Sequence, residues 1–291
     1  MTKIALTALA ETLPSTVPFV GPETQERAVG REFVARLGAN ESVFGPSPRA
    51  ITAMGHAASE VWKYGDPENY DLRQALAAHH GIDAGHIMVG EGIDGLLSYL
   101  VRLLVEPGTP VVTSKGGYPT FNYHVSGYGG VLHMVPYAAD HEDPATLIAK
   151  ARDVSAKMVY FANPDNPMGS WHNSDAVQAL IDAMPDTTLL VLDEAYVELA
   201  PADTAPVLRP ETENVIRMRT FSKAYGMAGA RVGYAIGPKS LITAFDKLRN
   251  HFGMSRISLA GALAALADQD YFDSVVENVG QSRKQITKIA E

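Results

Sequence analysis

The chain has 291 residues, 46% apolar and 20% charged, proportions that suit a folded protein able to bury a sizeable core. Lys and Arg number 24 against 33 Asp and Glu, a formal charge of −9. That balance argues against a general nucleic-acid or anionic-membrane binder, because either needs a basic face. With no cysteine, disulfides, thiolate metal sites and a cysteine nucleophile are excluded.

The first thirty residues mix Pro, Thr and Glu without a clear period and read as an extended arm. The short apolar stretch after Lys3 runs straight into Glu11 with no small-x-small cleavage pattern, so no secretory leader is expected. No run of 18 apolar residues occurs, so no membrane span is expected, and a cytoplasmic location suits the cysteine-free composition. Helical spacing of apolar residues marks 49–62 and 71–80, separated by the turn residues Lys63-Tyr64-Gly65-Asp66-Pro67-Glu68.

From there short apolar runs alternate with helical segments. The predicted strands are 87–89, 110–114, 131–135, 157–162, 188–192, 215–220 and 232–236; the predicted helices are 95–105, 119–128, 143–151, 174–184 and 238–250. Continuously apolar strands alternating with helices imply βαβ units. The expected architecture is α/β: three layers, α/β/α, around a mostly parallel seven-stranded sheet. Beyond Ser255, residues 259–266 and 272–289 are helical and amphipathic, and no strands follow them. The expected division is an arm over 1–45, a large domain over 46–250, and the start of a smaller, incomplete domain over 251–291.

Open parallel sheets bind ligands beyond the carboxyl ends of their strands, so the residues after each strand carry the chemistry. The first strand leads into Gly90-Glu91-Gly92-Ile93-Asp94-Gly95, literally a GxGxxG between strand and helix. The next strand ends Thr113-Ser114-Lys115 and lacks the ribose-binding acid of a dinucleotide site, so a dehydrogenase remains only a distant alternative. Free amides at that helix N-terminus still suit a phosphate. Asn163-Pro164-Asp165-Asn166-Pro167-Met168-Gly169 forms a stiff turn able to aim Asn166 at a ligand.

Asp193 closes an apolar strand, and a carboxylate buried there requires a partner: a metal, an arginine or a protonated ring nitrogen. Helix capping is the plainer role for such a residue. Ser222-Lys223 follows the sixth strand, with Arg231 eight positions on. A nearby cation depresses a lysine pKa, and a neutral lysine amine forms a Schiff base with an aldehyde. Ser222 and Arg231 together suit a phosphate. His79, His80 and His86 lack metal-ligand spacing and read as solvated histidines; no metal site is expected.

Taken in order, Asn163–Gly169, Asp193-Glu194-Ala195-Tyr196, and Ser222-Lys223 with Arg231 resemble fold-type I pyridoxal-phosphate aminotransferases. More narrowly they are similar to the histidinol-phosphate aminotransferase family, as are Leu37-Gly38-Ala39-Asn40-Glu41-Ser42, Gly45-Pro46-Ser47-Pro48 and Tyr64-Gly65-Asp66-Pro67. The resemblance implies that Lys223 carries the cofactor covalently and moves the substrate proton. It implies that Asp193 pairs with the pyridinium nitrogen, and that Asn166 and Tyr196 hydrogen-bond the phenolic oxygen. Tyr118 then stacks on the ring. The backbone of Gly92, Ile93 and Asp94 holds the phosphate with Ser222 and Arg231. Asn40 is a candidate substrate contact, and Tyr64 reaches the phosphate of a neighbouring subunit, which makes the expected unit a homodimer. A carboxylate-binding arginine of the family's small domain is expected beyond Glu291.

The expected activity is transfer of an amino group from an amino acid or amino-phosphate to a 2-oxo acid such as 2-oxoglutarate. Histidinol phosphate, aromatic and aspartate-like donors are all open. The alternative within the fold is a decarboxylase or other lyase using the same cofactor contacts.

Overall fold

Local punctuation sets the helices, including two where none was expected. Thr7 caps α1 (Ala8–Thr12) by accepting the Ala10 N–H, and Pro22 with a left-handed Gly30 brackets α2 (Pro22–Val29). The expected extended arm is therefore corrected to two short helices. Neither buries a residue, so neither carries the apolar stripe by which a helix shows itself in sequence. The computed structural model describes residues 4–15 and 19–291; Lys3 and residues 16–18 of the arm lie outside the described residues.

Ser47 caps α3 (Pro48–Ala58), and α4 (Tyr70–His80) stops at Gly81, also left-handed. Strands and helices then alternate: β1 (Ile87–Gly90), α5 (Gly92–Leu104), β2 (Pro110–Ser114), α6 (Pro119–Gly127), β3 (Val131–Val135), α7 (Pro144–Asp153), β4 (Met158–Ala162), α8 (Ser174–Ala183) and β5 (Leu189–Asp193). β6 (Val215–Thr220) and β7 (Gly233–Ile236) follow, then α9 (Lys239–Ala244), α10 (Arg256–Leu266) and α11 (Gln269–Ala290). The helix expected over 238–250 is shorter, tightening into a single 3-10 turn at Phe245–Lys247.

The seven strands run in the order β1-β7-β6-β5-β4-β2-β3. β7 pairs antiparallel with both β1 and β6, and every other pairing is parallel. The reason lies in the connections. Parallel neighbours need a crossover, usually a helix, whereas residues 221–232 hold only one 3-10 turn and return β7 directly beside β6.

Alternate strand residues feed two layers of core. Met88, Val111, Met158, Val191, Met218 and Ala235 pack with α5, α6 and α9 on one face. On the other, Val112, Val159 and Leu192 pack with α7 and α8, while Val89 and Tyr234 pack with α4 and α10. The expected three-layer α/β/α arrangement is the observed one. Among the described residues no helix is long and apolar enough to cross a membrane.

Candidate active site

β4, β5 and β6 deliver the chemistry to one edge of the sheet. Asp193 is the last residue of β5 and only 6% exposed. Its Oδ2 accepts the Tyr160 hydroxyl at 2.6 Å and its Oδ1 accepts the Ala195 N–H at 2.9 Å. Among the described residues no arginine or lysine forms an ion pair with it. Burial pushes its pKa up to about 6, against the lowering effect of the tyrosine hydrogen bond.

Tyr160 was not singled out from the sequence. Its signal was parity: Tyr160 and Asp193 share the strand face that carries Met158 and Val191, one step apart diagonally across β4 and β5. Phe121 stacks on Tyr160 with centroids 4.7 Å apart and locks its ring.

The turn after β6 is anchored by buried Phe221 and presents Lys223. Lys223 Nζ donates to the Ala39 and Asn40 carbonyls at 3.2 and 3.1 Å and lies 5.2 Å from the Tyr196 ring centroid. Burial holds its pKa below the ordinary lysine value, while Glu41 opposes that shift and Arg231 adds to it. Tyr196 Oη accepts from Asn40 Nδ2 at 3.1 Å and from Asn166 Nδ2 at 3.3 Å. Asn40 holds a left-handed backbone (φ 52°) to do so. The Asn166 turn is stiff because Asn163 Nδ2 donates to the His172 and Thr204 carbonyls and Asp165 N–H to the Ser170 carbonyl. Lys223, Asp193, Tyr196, Asn166 and Asn40 are thus brought together at the strand ends. Asn40, Asn166, Tyr196, Trp171 and Arg283 share a cavity of about 310 Å³ beside them.

A second cluster closes the other end. Glu91 precedes α5 without a side-chain cap, leaving the first-turn amides of Gly92, Ile93 and Asp94 outward. Gly92 takes φ +77°, and a Cβ there would lie 2.4 Å from Arg231 Nη2. A Cβ on Gly233 would meet the Gly92 carbonyl carbon and Ile93 N at 2.7 Å, so two glycines let β7 and Arg231 close on α5. Arg231 Nη1 donates to the Ala228 carbonyl at 3.0 Å and reaches Ser222 Oγ at 3.5 Å. Asp94 pairs with His124 Nε2 at 2.6 Å, and that hydrogen bond holds its carboxyl below the usual range. These amides, the guanidinium and the hydroxyl form an anion cradle.

Tyr118 caps the start of α6 and is 39% exposed. Tyr64 does not join the cluster within one chain: it is 75% exposed and stacks on Phe252 at 4.6 Å. Two of the three histidines read as solvated are corrected, while His79 is exposed as expected: His80 Nε2 bonds Tyr234 Oη at 3.0 Å and His86 Nδ1 bonds the Gly237 carbonyl at 2.8 Å, both partly buried.

A three-layer α/β/α fold with a part-buried lysine, a buried carboxylate without an ion-pair partner and an anion cradle at its strand ends suits an enzyme that holds a phosphate-bearing aldehyde. Residues 33–291 match the family described as aminotransferase class I and II, and the chain belongs to that family. Its relatives narrow the likeness. Histidinol-phosphate aminotransferases of Jannaschia sp. and Anaeromyxobacter sp. are 34% and 36% identical, over 89% and 87% of this chain and 72% and 70% of theirs. The histidinol-phosphate aminotransferase of Sinorhizobium meliloti, solved in complex with pyridoxal-5'-phosphate, is 56% identical. It superposes with a TM-score of 0.95 over 99% of this chain and 78% of its own. Among these relatives, nothing favours the decarboxylase or dehydrogenase alternatives.

Proposed function

We propose that this chain is a pyridoxal-phosphate-dependent aminotransferase that takes the amino group of histidinol phosphate and passes it to a 2-oxo acid such as 2-oxoglutarate. The observation that carries the reading is the pairing of Lys223 and Asp193 at consecutive strand ends: a lysine disposed to lose its charge beside a buried carboxylate lacking a cation. The residues fit the cofactor at three points. The Gly92–Arg231 cradle suits its phosphate, the Lys223 amine its aldehyde, and Asp193 its ring nitrogen.

When bound, pyridoxal phosphate supplies a protonated, electron-withdrawing ring conjugated to the reacting carbon. The protein does the rest. Asp193 holds the proton on the ring nitrogen, and Tyr160 and Ala195 N–H fix that carboxylate's direction. Lys223 Nζ would hold the cofactor through its aldehyde and, as a base, move the proton at the substrate Cα. Tyr196 and Asn166 hydrogen-bond the phenolic oxygen, and Tyr118 stacks on the ring. Ser222, Arg231 and the amides of Gly92, Ile93 and Asp94 bind the phosphate. Asn40 contacts substrate. Tyr64 completes the phosphate site of a partner subunit, so the working unit is a homodimer, acting in the cytoplasm. The domain division at 45 and 250 belongs to the same proposal.

Borohydride reduction of the cofactor-loaded chain tests it, with the label expected on the Lys223 peptide. Histidinol phosphate should then discharge the near-ultraviolet absorbance of unreduced protein and 2-oxoglutarate restore it. A label on another lysine, or carbon dioxide released from an amino-acid donor without 2-oxoglutarate, would overturn the reading.

A further inference from the structure

β2 and β4 separate before they end. β2 runs to Ser114 and β4 to Ala162, yet they pair only at Val111↔Met158 and Val112↔Val159. On their outer sides both strands stay paired to the end, β2 through Ser114↔Val135 and β4 through Ala162↔Asp193. The split is confined to this seam. It falls where the chain order reverses, β2 leading outward to β3 and β4 leading inward to β5, the place where open α/β sheets hold ligands.

A split ladder strands backbone groups. Asn163 N–H donates to the Asp193 carbonyl on β5, so by alternation the Ala162 N–H points toward β2, where the pairing has stopped. Glu142, from the connection between β3 and α7, fills the gap. It is only 2% exposed. Its Oε1 accepts the Ala162 N–H at 2.8 Å, and Ser114 Oγ donates to its Oε2. The His172 ring bonds its backbone carbonyl at 2.8 Å, and the next residue, Asp143, caps α7. One carboxyl group therefore bridges both strand ends from an anchored backbone.

We propose, resting on the function given above, that Glu142 is a positioning residue: it sets the spread of β2 and β4, and through it the separation of Tyr118 from Asn166 across the cofactor ring. Each of those residues lies four positions beyond a clamped strand end, Tyr118 after Ser114 and Asn166 after Ala162. Protonated on Oε2, the clamp donates to Ser114 Oγ, the reverse of the carboxylate's bond, while Oε1 still accepts the Ala162 N–H. The groups facing it are the carboxyls of Asp165 and Asp193 and the hydroxyls of Tyr137 and Tyr160; His172, with His141 packed on its ring, reaches only the carbonyl. Burial pushes the Glu142 pKa up to about 8, against the lowering effect of the Ser114 and Ala162 hydrogen bonds and with smaller help from Asp165 and Asp193. Ionisation above that value puts a second negative charge near Asp193 and changes the charge at the seam.

Glu142→Gln separates this from a merely structural role, because glutamine keeps an acceptor for Ala162 N–H and a donor for Ser114 Oγ but cannot ionise. Between about pH 4.3 and pH 8 the folded chain holds a proton that the unfolded chain lacks, so wild-type stability falls as pH rises through that window. The variant does not share the loss. Two measurements on the full chain follow. In cofactor-free melts, the advantage of Glu142→Gln over wild type should widen between about pH 6.5 and about pH 9. In pyridoxal phosphate titrations, the two should agree within about twofold at the lower pH and differ by about fivefold or more at the higher. Titration of Lys223 and of the cofactor is common to both proteins and cancels in the ratio. A stability gap and an affinity ratio that do not change with pH would overturn the proposal, as would weak binding by the variant at the lower pH. If neither protein binds pyridoxal phosphate, the cofactor reading fails, and the neutral clamp is judged by the melts alone.

Discussion

Asp193 and Glu194 are neighbours in sequence, alike in chemistry and 6% and 1% exposed, yet the fold treats them oppositely. Strand alternation sends them to different faces. Glu194 meets Arg219 Nε at 2.8 Å and Arg217 Nε at 3.4 Å, both on β6, and its charge raises the proton affinity of Arg219. Asp193 meets only a hydroxyl and an amide. A buried acid that the chain neutralises itself is scaffold. Asp193, left without an ion-pair partner at the carboxyl edge of the sheet, can take a protonated ring nitrogen as its cation.

The comparison can be broken from either face. The largest effect belongs to the functional side: Lys223→Ala should cut turnover by about a thousandfold or more and abolish borohydride trapping of the cofactor. Residual activity within tenfold of wild type would remove lysine from the mechanism. On the scaffold side, Glu194→Gln strips two buried guanidiniums of their counter-charge and should cost about 3–5 kcal/mol of stability in denaturant melts. The fraction that stays folded should turn over normally; normal stability with lost turnover would reverse the two assignments.

His80, behind the Glu194 face, gives a smaller, pH-dependent effect. Burial, with Arg219 second, lowers its pKa to about 3, so it stays neutral in the fold and charges on unfolding. Its contribution is present above about pH 6.5 and declines by about 1.4 kcal/mol per pH unit as pH falls below that value. His80→Asn should flatten this acid limb of the stability profile. The smallest effect sharpens the Asp193 side. Tyr160→Phe removes a hydrogen bond that lowers the Asp193 pKa, so the acid limb of the activity profile should move upward by about half a unit to one unit. A downward shift would contradict the assigned donor.

The sheet was legible in sequence because its central strands β4 and β5 are buried on both faces and almost wholly apolar, and all seven expected runs match observed strands closely. α1 and α2 were not, since exposed helices leave no stripe. The helix expected over 238–250 was overextended: tertiary bonds from Arg102 to the Leu248 carbonyl and from Arg249 to the Pro67 carbonyl govern its end. Lys223, Asp193, Asn166 and Arg231 could be read because each stands within four residues of a strand terminus. Tyr160 could not, because its role depends on which strand lies beside β4. Glu142 could not either, because a charged residue in a loop reads as solvated until the seam it fills is seen.

The most direct measurement is the first half-reaction of Asp193→Asn, followed as loss of cofactor absorbance on mixing with histidinol phosphate. The fold around residue 193 needs no charge there, so the variant should retain pyridoxal phosphate on Lys223. Asparagine cannot hold the ring nitrogen's proton, so the half-reaction should slow by about a hundredfold or more. A variant that binds the cofactor and reacts at the wild-type rate would contradict the claim that Asp193 is the socket for the ring.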